Sequence, residues 1–526
     1  MARDNIFRNS RRTIAENDMI IIGRSLFQYR SKLFSLIRLL ALGFLLAGLF
    51  SCSSSNDSAP ADTFDLIIEV ELGEDRGQGL GTLFEARDTS GSLLFGAGFQ
   101  DSVSTYIRDN NRMLSFFCTS QNPALQIEPL GKPFGAESTA ARLIVDNGVF
   151  AFYYGYPVKI DANNDVSIPS GLFGLQYIGD KRLLIIDEAL ESILTLDGQV
   201  IYSSTDFFHF YYSKGIAVLF HYDPDRIFIG PWDFSENPVV DLNRLAEYSV
   251  DGFPYAFGTY REELIIATNT GSLYSFRDGG LHVLRQSDGT SWQIYSIINV
   301  NDQLLLGHYP SGSLYVYDDQ GLREFVAPIP ILDSVRDAQR EAQTLTLFGG
   351  QLYVGLWPWG ELWRFDLDEL QWYFVARLFS APEMSPDIVS PYQMEMQDTG
   401  DVYNYWGQRL VSMVPYGDAL YIATMNKYGG PYNPDSHSFL TTESLNQYGQ
   451  VYRISGPLQI TAPISWRQKT TFRFRIASGK LEMYQDGLLL AQTESSALLD
   501  IAGKVDRIIL GEGVYGTFQG TQLVQR

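Results

Sequence analysis

The side chains able to do covalent or metal chemistry are few and scattered. Of the two cysteines, Cys118 sits in the apolar run Leu114-Ser115-Phe116-Phe117-Cys118, where the expectation is a buried, inert thiol rather than a nucleophile. The five histidines, His209, His221, His282, His308 and His437, have no close ligand spacing, so nothing supports zinc. Asp161-Ala162-Asn163-Asn164-Asp165 opens like a calcium loop. Val166, however, stands where such a loop needs glycine, and Leu172 where it needs a bidentate acid, which leaves an Asx-rich turn. The pairs Glu262-Glu263 and Asp318-Asp319 fall in turns, as solvated acids do. There is no phosphate-cradling glycine loop and no HExxH pair, and the dispersed members of a serine triad leave no local signature. The expectation is no metal, no cofactor and no catalytic residue.

A second group of residues suits binding. His308-Tyr309-Pro310, Trp357-Pro358-Trp359, the stretch through Asn426-Lys427-Tyr428 and the cluster Tyr403 to Trp406 and Arg409 set aromatic rings beside polar hydrogen-bonding groups. Such rings stack on the apolar C–H faces of a pyranose while their neighbours hold its hydroxyls. His308, Tyr309, Trp357, Trp359, Trp406, Arg409 and Tyr428 are the candidate ligand-binding residues. The competing expectation is that the tryptophans fill space between structural units.

These loops recur at equivalent places in a repeat. Glu263 to Phe276, Gln303 to Tyr317 and Gln351 to Phe365 each read as an apolar strand, a hairpin, then Gly-x-Leu-aromatic. Gly271, Gly312 and Gly360 are spaced by 41 and 48 residues, the period of a four-stranded propeller blade. A fourth copy opens at Ala419-Leu420-Tyr421 and resumes at Gly449-Gln450-Val451-Tyr452 after a long insert, and weaker copies precede the first. Short runs rich in Tyr, Phe, Ile and Val, broken by Gly and Asp-Gly, signal strands and turns throughout. One helix is expected between Ser334 and Leu347, from the spacing of Val335, Ala338, Ala342 and Leu345. The fold class is therefore all-β: a β-propeller with seven blades favoured over six or eight, and a small C-terminal β-appendage.

The N-terminus has basic residues Arg24, Arg30, Lys32 and Arg38 ahead of an apolar run from Leu39 to Phe50, which reads as an export signal and is shorter than the roughly 20 residues that span a bilayer. Leu49-Phe50-Ser51-Cys52 then resembles a bacterial lipobox, although Phe50 is bulkier than the motif usually carries. This resemblance implies a lipid on Cys52, and Ser53 after it points to the outer membrane. Residues 1–51 are then the signal, with Met19 an alternative start, residues 52–63 a Ser-rich tether, 64–457 the propeller with a leading strand, and 458–526 the appendage. Residues 1–51 hold 8 of the 39 basic and 3 of the 61 acidic side chains, so the remainder carries a formal charge of −27. That excludes nucleic acid as a natural partner.

Leu284 to Trp292 and the repeats that follow resemble bacterial sialidase-like and kelch-like propellers, over residues 255 to 457. The segment Ser287-Asp288-Gly289-Thr290 departs from the sialidase Asp-box pattern, and that box is structural in any case. In the tail, Thr471 to Ile476, Lys480 to Ala491, Arg507 to Gly511 and Gly516 to Gly520 resemble part of a laminin-G or concanavalin-like module, too short for a whole sandwich. The strand beginning at Phe64 is expected to complete it. The functional expectation is an exported, membrane-tethered lipoprotein acting as a non-catalytic recognition module for glycan or protein. The alternative is an extracytoplasmic glycoside hydrolase of sialidase-like type, needing arginines such as Arg261, Arg364, Arg377 and Arg409 to converge with a tyrosine and an acid.

Overall fold

The computed structural model describes residues 63–525 except 106, 110–111, 120–122, 154–156, 162–167, 189–190, 223–224, 334–338, 385–389, 401–403, 428, 430–431, 512–513 and 519–522. The signal, Cys52, the Asx-rich turn from Ala162 to Asp165 and Tyr428 thus lie outside the described residues.

Nine sheets form among the described residues, and seven of them are blades arranged in a ring. The strands closest to the axis are Arg142–Val145, Leu172–Ile178, Phe208–Ser213, Pro254–Tyr260, Gln293–Val300, Glu341–Phe348 and Arg409–Tyr416, for blades 1 to 7. A four-stranded sheet of Leu, Ile and Phe cannot cover both its faces alone, so each blade buries its faces against its neighbours. Every adjacent pair shares a hydrophobic cluster, down to Leu143 and Val149 of blade 1 against Val411 and Tyr421 of blade 7. The ring is closed by strand exchange: Gln126–Gly131, which precedes blade 1 in sequence, is the outermost strand of blade 7.

The repeat visible in the sequence marks the second strand of each blade. Glu263–Thr268, Gln303–Tyr309, Gln351–Trp357 and Ala419–Met425 occupy equivalent places, each between the innermost strand and the third. Its hairpin glycines Gly271, Gly312 and Gly360 have φ of +99°, +68° and +62°, left-handed values that only glycine adopts freely. The motif glycine within the strand serves a close approach instead. A Cβ on Gly355 would lie 2.5 Å from Thr344 and 2.8 Å from Leu410 of blade 7. The helix expected over Ser334 to Leu347 is corrected: Glu341–Phe348 is the innermost strand of blade 6. Ala342 and Leu345 are both buried there, and a strand covered on both faces leaves no period-two signature to compete with a helical one.

The remaining two sheets form a β-sandwich of eleven strands, orders 5 and 6. This corrects the domain boundary at residue 457. Phe64–Glu71, Thr82–Arg87 and Met113–Cys118 pair with C-terminal strands, and Leu93–Gly98 lies between the last two, none of them pairing with the propeller. The tail is too short for a sandwich because the N-terminal segment supplies the other strands. Alternation decides the layers. Phe84, Phe95, Leu114, Phe116 and Ile460 of the six-stranded sheet bury against Phe64, Phe472 and Phe474 of the other, while Phe117 and Gln459 point to the propeller and meet the turn Gly349-Gly350. The propeller is an insertion between the adjacent strands Met113–Cys118 and Leu458–Pro463.

Candidate functional site

In each blade the innermost strand runs toward the sandwich and the second strand returns. The turns between them make the sandwich contacts: Gly179 N donates to Asp75, Gly215 N to Arg76 O at 2.8 Å and Gly417 N to Thr461 O at 3.1 Å. The other ends of these strands, the first residues of the innermost and the last of the second, therefore ring the opposite mouth of the channel.

That mouth has a floor. The strand pair Ser102–Ser104 and Ile107–Asp109, a loop of the sandwich, enters the channel and adds to the innermost strand of blade 5. It is anchored below by the buried pair Arg108 and Asp101 at 2.8 Å. At its tip Thr105 N donates to Tyr295 O at 2.8 Å, and Gln343 Nε2 donates to Thr105 Oγ1 at 3.0 Å. The channel is plugged, and the mouth is a basin.

Around it runs an arc of rings. Phe173 of blade 2 meets Phe207 at 4.7 Å between centroids, Phe207 meets Tyr222 at 5.5 Å, and Tyr222 meets Phe253 at 5.3 Å. The arc continues through Tyr255, 5.0 Å from Tyr295, to Tyr309, which lies 6.1 Å from Trp357, and ends at Tyr392 of the helix Pro391–Thr399, 5.1 Å from Trp357. Except for Tyr295 and Trp357, these rings are half-buried. His209 lies behind the arc, its pKa pushed down to about 3 by burial and by the Arg142 guanidinium, so it is neutral.

Where blades 6 and 7 meet the mouth, the chemistry changes to charge. Glu341, the first residue of its strand, is wholly buried. Arg409 Nη2 lies 3.9 Å from its carboxylate, and the Tyr295 hydroxyl donates a hydrogen bond to it. Burial pushes its pKa up, against the pull of Arg409 and Lys427. Lys427 is pushed down to about 8, mostly by burial and then by Arg409, with Glu341 and Glu395 opposing. Arg409 Nη2 also donates to Asn404 at 3.3 Å, while its buried Nε has no acceptor.

The structure gathers some of the expected residues here and disperses others. Tyr309 and Arg409 face the basin, and Trp357 supports it from within. Trp357, Trp359 and Trp406 are 0%, 1% and 0% exposed, which corrects their assignment as open stacking platforms. Trp359 lies under the Arg377 guanidinium at 4.7 Å, and Trp406 packs on Tyr448 and His437. Indoles at these hairpins fill the wedge between blades as it widens from the axis. His308 is likewise buried, between Trp292 and Tyr315, with its pKa pushed down to about 4 by burial and Nδ1 2.7 Å from Ser311 Oγ. Glu341, Tyr392 and the arc from Phe173 to Tyr295 escaped the sequence reading, and Lys427 entered it only as part of the stretch Asn426-Lys427-Tyr428. Their signal is an aromatic residue at or beside the start of the innermost strand, and that strand is the one the repeat does not display.

The arginines do not converge. Arg261 pairs with Asp319 at 2.8 Å on an exposed turn, Arg364 pairs with Gln351 inside blade 6, Arg377 holds Trp359 O and Gln408, and only Arg409 reaches the mouth. Among the described residues no three His, Cys, Asp or Glu side chains come together. Cys118 is buried, with its thiol pKa pushed up by burial.

No protein-family model matches the sequence, and no curated protein matches it either. The fold is that of a β-propeller. Among solved structures the chain is similar to the WD40 β-propeller domain of Doa1, with a TM-score of 0.35 at 7% identity over 62% of this chain and 96% of that one. It is also similar to BamB from Moraxella catarrhalis, with a TM-score of 0.27 at 10% identity over 60% and 85%, and to the computationally designed Ika8 protein, with a TM-score of 0.34 at 10% identity over 57% and 98%.

Proposed function

We propose that this protein is a recognition module that takes its ligand, a glycan in the leading reading, in the plugged basin, and that a lipid on Cys52 ties it to a bacterial membrane, the outer one. The observation that carries the binding reading is the arc of half-buried rings around a closed floor. A sugar laid across it would stack on several rings at once. Each contact contributes about 0.5–1.5 kcal/mol beyond its buried area, so affinity must come from the array rather than from one ring. The dispersal of Arg261, Arg364 and Arg377 away from Arg409 weighs against a sialidase-like hydrolase. A Tyr309→Ala, Tyr392→Ala double variant, compared with the wild type on a glycan array, tests the reading. Binding should be lost while the melting temperature moves by only a few degrees. A wild type that binds no glycan, or a variant that binds as the wild type does, would sink it.

A further inference from the structure

Resting on that reading, we infer that the arc is a track for an uncharged, linear glycan, which lies across several blades at once instead of seating one sugar. From Phe173 to Tyr392 each ring lies 4.7 to 6.2 Å from the next, on a path that leads from blade 2 to blade 6 and on to the helix Pro391–Thr399. A single pyranose is little wider than one of these rings, so it covers only a short part of that path. Successive ring planes are tilted by 42 to 82°, and no ring is covered flat by the next. Such a series offers apolar faces in succession to a chain whose own units repeat.

The tyrosine hydroxyls along the track are already engaged within the protein. That of Tyr222 lies 2.8 Å from His209 Nε2, that of Tyr309 donates to Gln339 Oε1 at 2.8 Å, and that of Tyr295 donates to Glu341. What these residues offer a ligand is therefore their carbon faces, and stacking on C–H patches discriminates little between one register of a repeating chain and the next. Charge is likewise balanced. At the corner of blades 6 and 7, Glu341 and Glu395 stand with Arg409 and Lys427, while the chain as a whole carries a formal −22, which opposes an anionic polymer. An extended peptide would need its backbone amides paired, and the innermost edge of blade 5 is already taken by Ser102–Ser104. A sugar chain keeps its hydroxyls in water at the ring edges while its faces stack, so it needs no such ladder.

The test is calorimetric titration of the detergent-solubilised full chain with cello-, xylo-, manno-, laminari- and malto-oligosaccharides of two to six units, and with hexagalacturonate as the charged control. For at least one neutral series, affinity should climb roughly tenfold from trimer to hexamer, the gain from one or two added stacking contacts, and the hexamer should bind more tightly than hexagalacturonate. Phe173→Ala and Tyr392→Ala remove rings at opposite ends of the arc. Each should weaken the hexamer by about threefold or more and the trimer by no more than about twofold, because a short chain finds the rings that remain. Phe173→Leu and Tyr392→Leu, which keep apolar bulk and lose the ring, serve where an alanine variant fails to fold. A dimer bound as tightly as its hexamer, with both end variants like the wild type, would overturn the track while leaving the basin a glycan site. Hexagalacturonate bound more tightly than every neutral chain would overturn the choice of an uncharged ligand. No glycan bound at all would overturn this inference together with the glycan reading, and extended apolar peptides bound instead, and lost in both end variants, would assign the arc to a peptide.

Discussion

Tyr309 and Trp357 end equivalent strands in neighbouring blades, yet one ring is half-open and the other wholly enclosed. Their variants should separate cleanly. Trp357→Ala should cost about 3–5 kcal/mol of stability, the price of emptying an indole-sized site, whereas Tyr309→Ala should cost about 1 kcal/mol or less and act on binding; urea denaturation measures both. The sequence made the loops legible as neighbours on one rim, because equivalent hairpins return to one face. It did not reveal which ring faces outward, since that depends on the width of the wedge between blades, a property of no single residue. Lys427 supplies a prediction with a sign. Its folded pKa of about 8 lies below its ordinary 10.5, so between these values the unfolded chain holds a proton that the folded chain has lost. Stability from this group therefore rises with pH across that window, and the burden is full below pH 8. Lys427→Met should be relatively more stable than the wild type at pH 7, with the gap closing toward pH 10, as read by melts across that range. A constant gap would assign the effect to packing instead.

At the scale of elements, the hairpin in the channel decides what the mouth can be. Arg108 is pinned by Asp101, donates to Tyr212 O and lies 4.6 Å over the Tyr211 ring, all within the ring's interior. Asp101→Asn would leave that guanidinium buried without its counter-charge and should cost about 3–5 kcal/mol, visible as a fall in the urea midpoint. An unchanged midpoint would mean that the hairpin is only loosely seated. The second strands were legible because the Gly-x-Leu-aromatic hairpin repeats in register. The innermost strands were not. Glu341-Ala342-Gln343-Thr344-Leu345 is buried on both faces by neighbouring blades and by the hairpin, so polar residues there answer to partners far away in sequence rather than to solvent. The hairpin itself, Ser102 to Asp109, carries no signal at all, because its pairing partner lies nearly two hundred residues downstream.

At the scale of the whole molecule, strands from before and after the propeller share one sandwich. Phe64–Glu71 pairs along its full length with Lys469–Ala477, and Asp75 near the N-terminal end binds Arg112 at 2.7 Å as well as the Gly179 turn. A chain ending at Gly456 would expose Phe84, Phe95 and Phe116 of the sandwich core, and should prove insoluble or protease-sensitive rather than yield a stable propeller. Recovery of a compact, protease-resistant ring would refute that dependence. Both halves of the sandwich could be seen as strands in the sequence, but their union could not, because nearly 400 residues separate them. Cys52→Ser should release the protein from the membrane fraction; if the wild type already fractionates as soluble, the anchor lies elsewhere or is absent.

The interior position of Phe64–Glu71 in its sheet, paired on both sides, has a mechanical meaning. It is hydrogen-bonded on one side along eight residues and on the other to Val514–Phe518. A molecule anchored upstream of Phe64 and pulled by a bound polymer would feel the load along this strand, parallel to its own axis. Its ladder bonds would then be strained together in shear instead of being unzipped one after another. Such a strand gives way late under force, so a drag that dislodges the ligand from the basin should leave the protein folded and still attached.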